Sequence, residues 1–187
     1  MPQTAVSTPE LRQPDDAPLP VPAHTAFRYM ARFQCIGAAC ETTCCKGWEI
    51  QVDEPHYKKL KKTMARSEAE RQKFDAGHRM VRGSDRSRGK FALVVLQPNG
   101  DCSYLQSDSL CSLQTTYGEE ALSDTCAVYP RAVSQSGSRQ ELSGAVSCPE
   151  VARQLLLHED AMDLVAADGG SFSRGMISQS IASPPPT

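Results

Sequence analysis

The sequence predicts a mainly α-helical fold with irregular loops and one small β-hairpin, built as a compact cysteine-rich domain centred on a metal or cluster. Three observations predict it. Helix-capping patterns recur along the middle of the chain, one short segment is rich in β-forming residues, and eight cysteines occur among 187 residues. A chain of this length suits one domain, or two small ones.

Proline marks the two ends of the chain. Of the 13 prolines, six fall within the first 22 residues and three within the last four. Residues 1–25 are also rich in Ser, Thr and Ala, so they bury too little apolar surface to fold alone. We therefore predict a disordered Pro-rich arm at 1–25, a cysteine-rich iron–sulfur or metal-binding domain at 26–167 and a disordered tail at 168–187.

Capping residues place the first predicted helices after a loop-like stretch over residues 27–48. Asp53 is a suitable N-cap for a helix over residues 54–64. Ser67 and Glu70 form a capping box for a second helix, which Gly77 is expected to end.

The second half of the chain contains the predicted hairpin and the remaining helices. Residues 91–96 favour a strand, a Pro-Asn-Gly turn follows, and residues 102–105 are expected to return as its partner. Short helices are expected over residues 110–117 and 119–122. A capping box at residues 147–150 opens a last helix through residue 157.

Export and membrane insertion are not indicated by the sequence. The longest uninterrupted apolar run covers residues 91–96, whereas a membrane span needs about 20 residues. The chain does not start with basic residues followed by an apolar stretch, as a secretory signal does. We therefore predict a cytoplasmic protein with no membrane association.

The cysteines are the candidate metal ligands. Four of them form the pattern C-x4-C-x3-C-C within 11 residues, and four are spread over the next hundred positions. Reduced cytosolic thiols in clusters more often hold metal than form disulfides. Disulfides and plain buried thiols remain the alternatives. The candidate ligands are Cys35, Cys40, Cys44, Cys45, Cys102, Cys111, Cys126 and Cys148.

The spacing favours an iron–sulfur cluster over zinc. Structural zinc sites typically have two C-x2-4-C pairs, and only Cys40 with Cys44 provides such a pair. Iron–sulfur clusters accept less regular thiolate spacing.

The four histidines fall in the arm, on helices or near a helix end, where surface or capping roles are expected. Trp48 is expected to anchor the core beside the cysteine loop.

Basic residues are concentrated between positions 56 and 90. This stretch holds 12 of the 20 Lys and Arg and four acidic residues. Its aromatic residues are Tyr57 and Phe74, too few for a base-stacking surface. We predict a solvated basic face, with docking of an acidic partner as the alternative, and no nucleic-acid binding. Glycine-rich nucleotide loops and the C-x3-C-x2-C triplet of radical S-adenosylmethionine enzymes are absent from the sequence.

Ordered motifs around the cysteines resemble the flagellin lysine-N-methylase family, part of a wider group of cysteine-rich zinc- or iron-chelating domains. The resemblance covers about residues 27–164 and all eight cysteines. Its motifs are CETTCCKGW at 40–48, CSYL at 102–105, LCSLQ at 110–114, YGEEALS and TC within 117–126, YPR at 129–131, and LS and SCPEVAR within 142–153.

The resemblance implies a methyltransferase that moves a methyl group from S-adenosylmethionine to lysine side chains of flagellin. It implies an iron–sulfur cofactor, with 4Fe–4S favoured over zinc, and S-adenosylmethionine as the second cofactor. It assigns no catalytic residue and no methyl-donor residue. Family members are usually considerably longer, so the chain resembles a shortened member. A non-catalytic zinc- or iron-binding module left by truncation is the alternative.

Overall fold

The computed structural model describes residues 22–83, 90–169 and 177–181. Within this part of the chain, strands form a five-stranded and a three-stranded sheet beside the helices. The fold is therefore mixed α and β, and the prediction of a mainly α-helical fold is wrong.

The helices and strands alternate along the chain. The strands are β1 (His24–Phe27), β2 (Gln51–Val52), β3 (His78–Met80), β4 (Ala92–Val94), β5 (Arg131–Ser136), β6 (Arg139–Gly144), β7 (Leu164–Ala166) and β8 (Ile177–Ile181). The α-helices are α1 (Arg28–Arg32), α2 (Glu54–Thr63), α3 (Glu68–Gly77), α4 (Ser112–Tyr117), α5 (Asp124–Val128) and α6 (Pro149–Leu156), with 3-10 turns at Gly37–Ala39 and Glu119–Ala121.

The larger sheet has the strand order β7-β1-β6-β5-β8. β1 runs parallel to β6 and antiparallel to β7, and β5 runs antiparallel to β6 and parallel to β8. The sequence prediction missed β5 and β6 because both strands are too polar to show apolar alternation. Their two-residue connection starts at Gly137, which has a φ of 60°, and a Gly-Ser pair in this place is a hairpin signal.

The smaller sheet has the order β2-β4-β3 and is antiparallel. The turn predicted at residues 98–100 is present, with the Gly100 N–H donating to the Gln97 carbonyl at 2.8 Å. The predicted returning strand is reduced to a single bridge between Leu96 and Cys102. The Gln97 N–H donates to the Asp101 carbonyl at 2.7 Å and the Ser103 N–H to the Val95 carbonyl at 3.1 Å, so the expected hairpin is present in a shortened form. β4 itself pairs with β2 and β3.

Two of the predicted helices are confirmed together with their caps. In α2 the Asp53 carboxylate accepts the His56 N–H at 2.8 Å. In α3 the Ser67 hydroxyl accepts the Glu70 N–H at 3.2 Å. α6 begins one residue later than its predicted capping box, because Cys148 is its N-cap and makes no side-chain cap bond.

The predicted disordered segments lie mostly outside the described residues. Two strands nevertheless lie at or beyond the predicted domain limits, since β1 begins at His24 and β8 covers Ile177–Ile181. The stretch predicted as a loop over residues 27–48 contains α1. In the described ranges, the longest and most apolar helices still fall short of what a bilayer crossing requires.

The apolar core has two main parts. One part lies between α2, α3 and the smaller sheet and includes Ile50, Leu60, Phe74 and Tyr104. The other part lies between the larger sheet, α1 and α6, and it is built from buried side chains that come from both ends of the chain. These side chains are Ala26, Tyr29, Met30, Val133, Leu142, Val151 and Ala161.

Candidate metal centre

Five of the eight cysteines line one cavity of about 80 Å³ in the first core. Its walls come from α2, the smaller sheet, the segment before α4, and α5. Most of the remaining lining is apolar, including Ile50, Val94 and Leu113. The five cysteines are Cys44, Cys45, Cys102, Cys111 and Cys126.

The turn at residues 98–100 holds Cys45 beside Cys102. The Cys102 N–H donates to the Cys45 carbonyl at 2.8 Å. Next to this bond Lys46 and Asp101 form an antiparallel bridge, and their side chains are 3.0 Å apart in an ion pair. Gly100, with a φ of 86°, closes the turn without the strain that a side chain would cause. Two thiols separated by 57 positions in sequence therefore meet in the fold.

Cys111 reaches the same cavity through a second backbone link. It forms an antiparallel bridge with Leu105, and the following Ser112 N–H donates to the Tyr104 carbonyl at 2.8 Å. Cys111 is also the N-cap residue of α4. Cys126 arrives from α5 and packs against the same core.

Cys44 is the thiol best prepared to act as a thiolate. It is exposed at the edge of the cavity. A hydrogen bond from the Cys45 thiol lowers the pKa of Cys44 to about 6, and the same bond raises the pKa of Cys45. The indole N–H of Trp48 donates to the Cys44 carbonyl at 2.6 Å and fixes the backbone there. Cys44 is therefore largely ionised at neutral pH.

The deeper thiols are held in the protonated form. Burial raises the pKa of Cys126 to about 12, and the neighbouring Ser123 hydroxyl opposes this rise only in part. Burial also raises the pKa of Cys102, although its sulfur accepts the Tyr104 N–H at 3.5 Å. The nearby sulfurs add to both shifts, since a charge on one thiol disfavours a charge on the next.

The other three cysteines lie outside the cavity. Cys35 is exposed. The Cys40 thiol donates to the Thr42 carbonyl at 3.1 Å, and Cys148 packs against the second core. All eight thiols are free, so no disulfide forms among them. The ligand roles of these three cysteines stay predictions.

Tyr129 is an aromatic residue in the wall of the cavity. It packs against Trp48 with tilted rings 5.4 Å apart between centroids, and contacts the Ser147 hydroxyl at 3.1 Å. Burial is the main cause of the raised pKa of Tyr129, and negative charge on Cys148, Cys44 and Cys40 adds to the rise.

The sequence prediction missed two cavity residues, His78 and Tyr104. His78 is buried, and its Nδ1 lies 3.0 Å from the Phe74 carbonyl and 3.1 Å from the Tyr104 hydroxyl. Because a carbonyl only accepts, Nδ1 carries the proton and Nε2 is left as an acceptor. Burial lowers the pKa of His78, so the ring is neutral at neutral pH. A Cβ at Gly77 would lie 2.5 Å from the Tyr104 hydroxyl, so only glycine leaves room for this contact.

Comparison with known proteins places the chain in a family. The Flagellar biosynthetic protein FliU of Salmonella muenchen is 35% identical over 150 residues, which are 80% of the chain and 85% of FliU. Lysine-N-methylases of Salmonella typhimurium and Salmonella choleraesuis are 35% and 34% identical over 137 residues. The chain belongs to this lysine-N-methylase and FliU family.

The members of the family differ in length. The chain spans 33% of each of the two lysine-N-methylases, although the match covers 73% of the chain itself. No known family model matches the chain. No solved structure matches it either.

The thiols of this family member suit a metal chemically but are not arranged around one. Soft thiolates favour iron–sulfur clusters and zinc, and five thiols share the cavity. Within residues 22–83, 90–169 and 177–181, however, no three His, Cys, Asp or Glu side chains are grouped closely enough to hold a metal ion. Metal binding therefore requires the cysteine side chains to rotate toward a common point in the cavity. It also requires the buried thiols to lose their protons.

Proposed function

We propose that the chain is a protein-lysine N-methyltransferase that moves a methyl group from S-adenosylmethionine to lysine side chains of flagellin, and that its cysteines hold an iron–sulfur cluster. The observation that carries the proposal is the meeting of five cysteines in one cavity. The names of the relatives, Lysine-N-methylase and Flagellar biosynthetic protein FliU, support the reaction and the substrate.

Four buried or half-buried thiols are the best candidates to hold the cluster. A 4Fe–4S cluster takes four thiolates. Cys44, at the edge of the cavity, then remains to exchange with one of these ligands or to place the methyl donor. Because burial raises the pKa of Cys102 and Cys126, cluster binding must displace their protons. The four are Cys45, Cys102, Cys111 and Cys126.

The apolar cavity also suits the acceptor lysine. Its Nζ attacks the methyl carbon only as a neutral amine; the new N–C bond forms as the S–C bond breaks, and the electron pair stays on sulfur. A proton then leaves the nitrogen. Apolar walls such as Ile50 and Leu113 lower the pKa of a lysine that enters. The neutral His78, with Nε2 as an acceptor, is the candidate group to take the proton.

The second candidate function is a zinc- or iron-binding module without catalysis. The observation that favours it is length, since the chain spans 33% of each lysine-N-methylase. Such a module uses the same thiols but has no reason to bind S-adenosylmethionine.

The first experiment measures iron, zinc and acid-labile sulfide in protein purified without oxygen. We expect iron and sulfide in equal amounts. Cys126→Ser removes a thiol inside the cavity and should lose most of the iron. Cys35→Ser, the matched control on the surface, should retain it. Zinc without sulfide, or equal loss in both variants, contradicts the proposed cluster site.

The second experiment separates the enzyme from the module. Calorimetry should detect S-adenosylmethionine binding to the loaded protein, and labelled methyl groups should appear on lysines of added flagellin. His78→Gln should lower the rate of methyl transfer while leaving the iron content unchanged. A loaded protein that binds no S-adenosylmethionine leaves the metal-binding module as the function.

A further inference from the structure

A basic cleft lies beside the smaller sheet and shares no described lining residue with the thiol cavity. It encloses about 730 Å³ and is lined by Arg79, Arg82, Lys90 and Glu49, with Met80 and Leu93 among its apolar residues. A cleft of this size admits a ligand group of several hundred cubic ångströms.

The alternation of side chains along the strands separates the cleft from the cavity. In β3, His78 lines the cavity and Arg79 lines the cleft; in β4, Val94 lines the cavity and Leu93 lines the cleft. Arg79 and Leu93 are direct cross-strand partners. No cysteine is among the described residues that line the cleft, and the cleft shares no lining residue with the cavity, so a ligand in the cleft does not touch the thiols.

The cleft carries an excess of positive charge. Lys90 lies 3.3 Å from Glu49. Neither Arg79 nor Arg82 forms an ion pair within 4.0 Å among the described residues. The described residues that line the cleft therefore include three cations and one anion. It lies in the stretch that holds 12 of the 20 Lys and Arg of the chain, which draws negatively charged partners toward this face.

We propose that this cleft docks an acidic polypeptide segment of a partner protein. Carboxylates on the segment pair with Arg79 and Arg82 and compete with Glu49 for Lys90, while apolar side chains cover the exposed Met80. No residue that lines the cleft in the described part of the chain is aromatic, so bases of a single-stranded nucleic acid find no stacking partner. The mixed cationic and apolar lining favours a polypeptide over a small anion.

The test measures binding of a short fluorescein-labelled peptide of alternating glutamate and alanine to the full chain by fluorescence anisotropy. The double variant Arg79→Gln with Arg82→Gln should bind roughly five- to tenfold more weakly, as expected for the loss of two exposed ion pairs. Glu49→Gln should bind more tightly, because it frees Lys90 and removes a like charge. Binding should weaken in high salt.

The matched control removes two positive charges elsewhere in the basic stretch. Lys61→Gln with Lys62→Gln changes the net charge equally but alters exposed residues of α2 outside the cleft. Its affinity should stay close to that of the original protein. The proposal fails if the original protein binds no peptide, if both double variants weaken binding equally, or if a single-stranded oligonucleotide binds the cleft more tightly than the peptide.

Discussion

Two adjacent thiols in opposite protonation states are the main feature of the cavity at the residue scale. Cys44 and Cys45 share one hydrogen bond, which stabilises the thiolate of Cys44 and keeps the proton on Cys45. A thiolate is the form that binds metal and reacts with electrophiles. Cys44 is also the exposed member of the pair, so an incoming metal or reagent meets the reactive thiol first.

We predict that metal-free protein is alkylated fastest at Cys44, with a rate that rises as pH increases and is half-maximal near pH 6. Below this pH the sulfur is protonated and slow to react. Cys45→Ala removes the donor and should move the midpoint toward the ordinary cysteine pKa of about 8.5. Peptide mass spectrometry after brief iodoacetamide treatment measures the rate.

The control for this prediction is Cys45→Ser, whose hydroxyl still donates to the Cys44 sulfur. Its midpoint should remain well below that of Cys45→Ala. If Cys45→Ala leaves the midpoint unchanged, the hydrogen bond between the two thiols is not the cause of the low pKa.

At the scale of elements, α2 forms one wall of the cavity. His56 and Leu60 of this helix line the cavity, and the His56 Nε2 lies 3.1 Å from the Ala121 carbonyl across it. The first turn of α2 is set by Asp53, whose carboxylate accepts the His56 N–H. The cap therefore positions a residue of the cavity as well as starting the helix.

We predict that Asp53→Ala lowers the free energy of unfolding by about 1 kcal/mol, because an N-terminal N–H of α2 loses its acceptor. Asp53→Asn should stay within a few tenths of a kcal/mol of the original protein, since asparagine caps equally well. Urea unfolding of both variants measures the difference. Equal losses in the two variants show that charge, and not the cap, is responsible.

α2 and α3 were predictable because the signals that start them are local. Asp53 and Ser67 cap helices at the positions where they stand in sequence. The strands were not predictable in the same way. β5 and β6 are polar, and β1 pairs in parallel with β6 although Ala26 and its partner Leu142 are more than a hundred residues apart. No local pattern encodes such a pairing, since it depends on which surfaces meet in the folded chain.

At the scale of the molecule, Tyr29 joins two segments that are far apart in the sequence. Tyr29 is buried, and its hydroxyl accepts the Gly144 N–H at 2.9 Å, which links α1 to the end of β6. Met30 packs on the same glycine so closely that a Cβ there would lie 2.3 Å from the Met30 sulfur. Gly144 therefore serves as the contact between the N-terminal and C-terminal halves of the second core.

We predict that Tyr29→Phe lowers the free energy of unfolding by about 1–3 kcal/mol, because it leaves the Gly144 N–H without its acceptor. The matched control is Tyr117→Phe, whose hydroxyl donates to Glu70 at 2.6 Å in a half-buried site. Water replaces the lost bond there, so the loss should be smaller. Urea unfolding measures both, and a larger loss for Tyr117→Phe contradicts the prediction.

The cysteine set was predicted as a group, but its division into cavity and outer thiols was not. The sequence placed Cys35, Cys40, Cys44 and Cys45 together because they are close in the chain. In the fold, only Cys44 and Cys45 of these four line the cavity. The three distant thiols Cys102, Cys111 and Cys126 join them there.

The sequence by itself determined the starts of α2 and α3, the turn at residues 98–100 and the family, because capping residues, turn residues and ordered cysteine motifs act over a few neighbouring positions. The tertiary structure decided the two sheets, the buried His78 and Tyr104, and which thiols meet. Those features arise from contacts between segments far apart in sequence, where packing and burial, and not local propensity, select the partners.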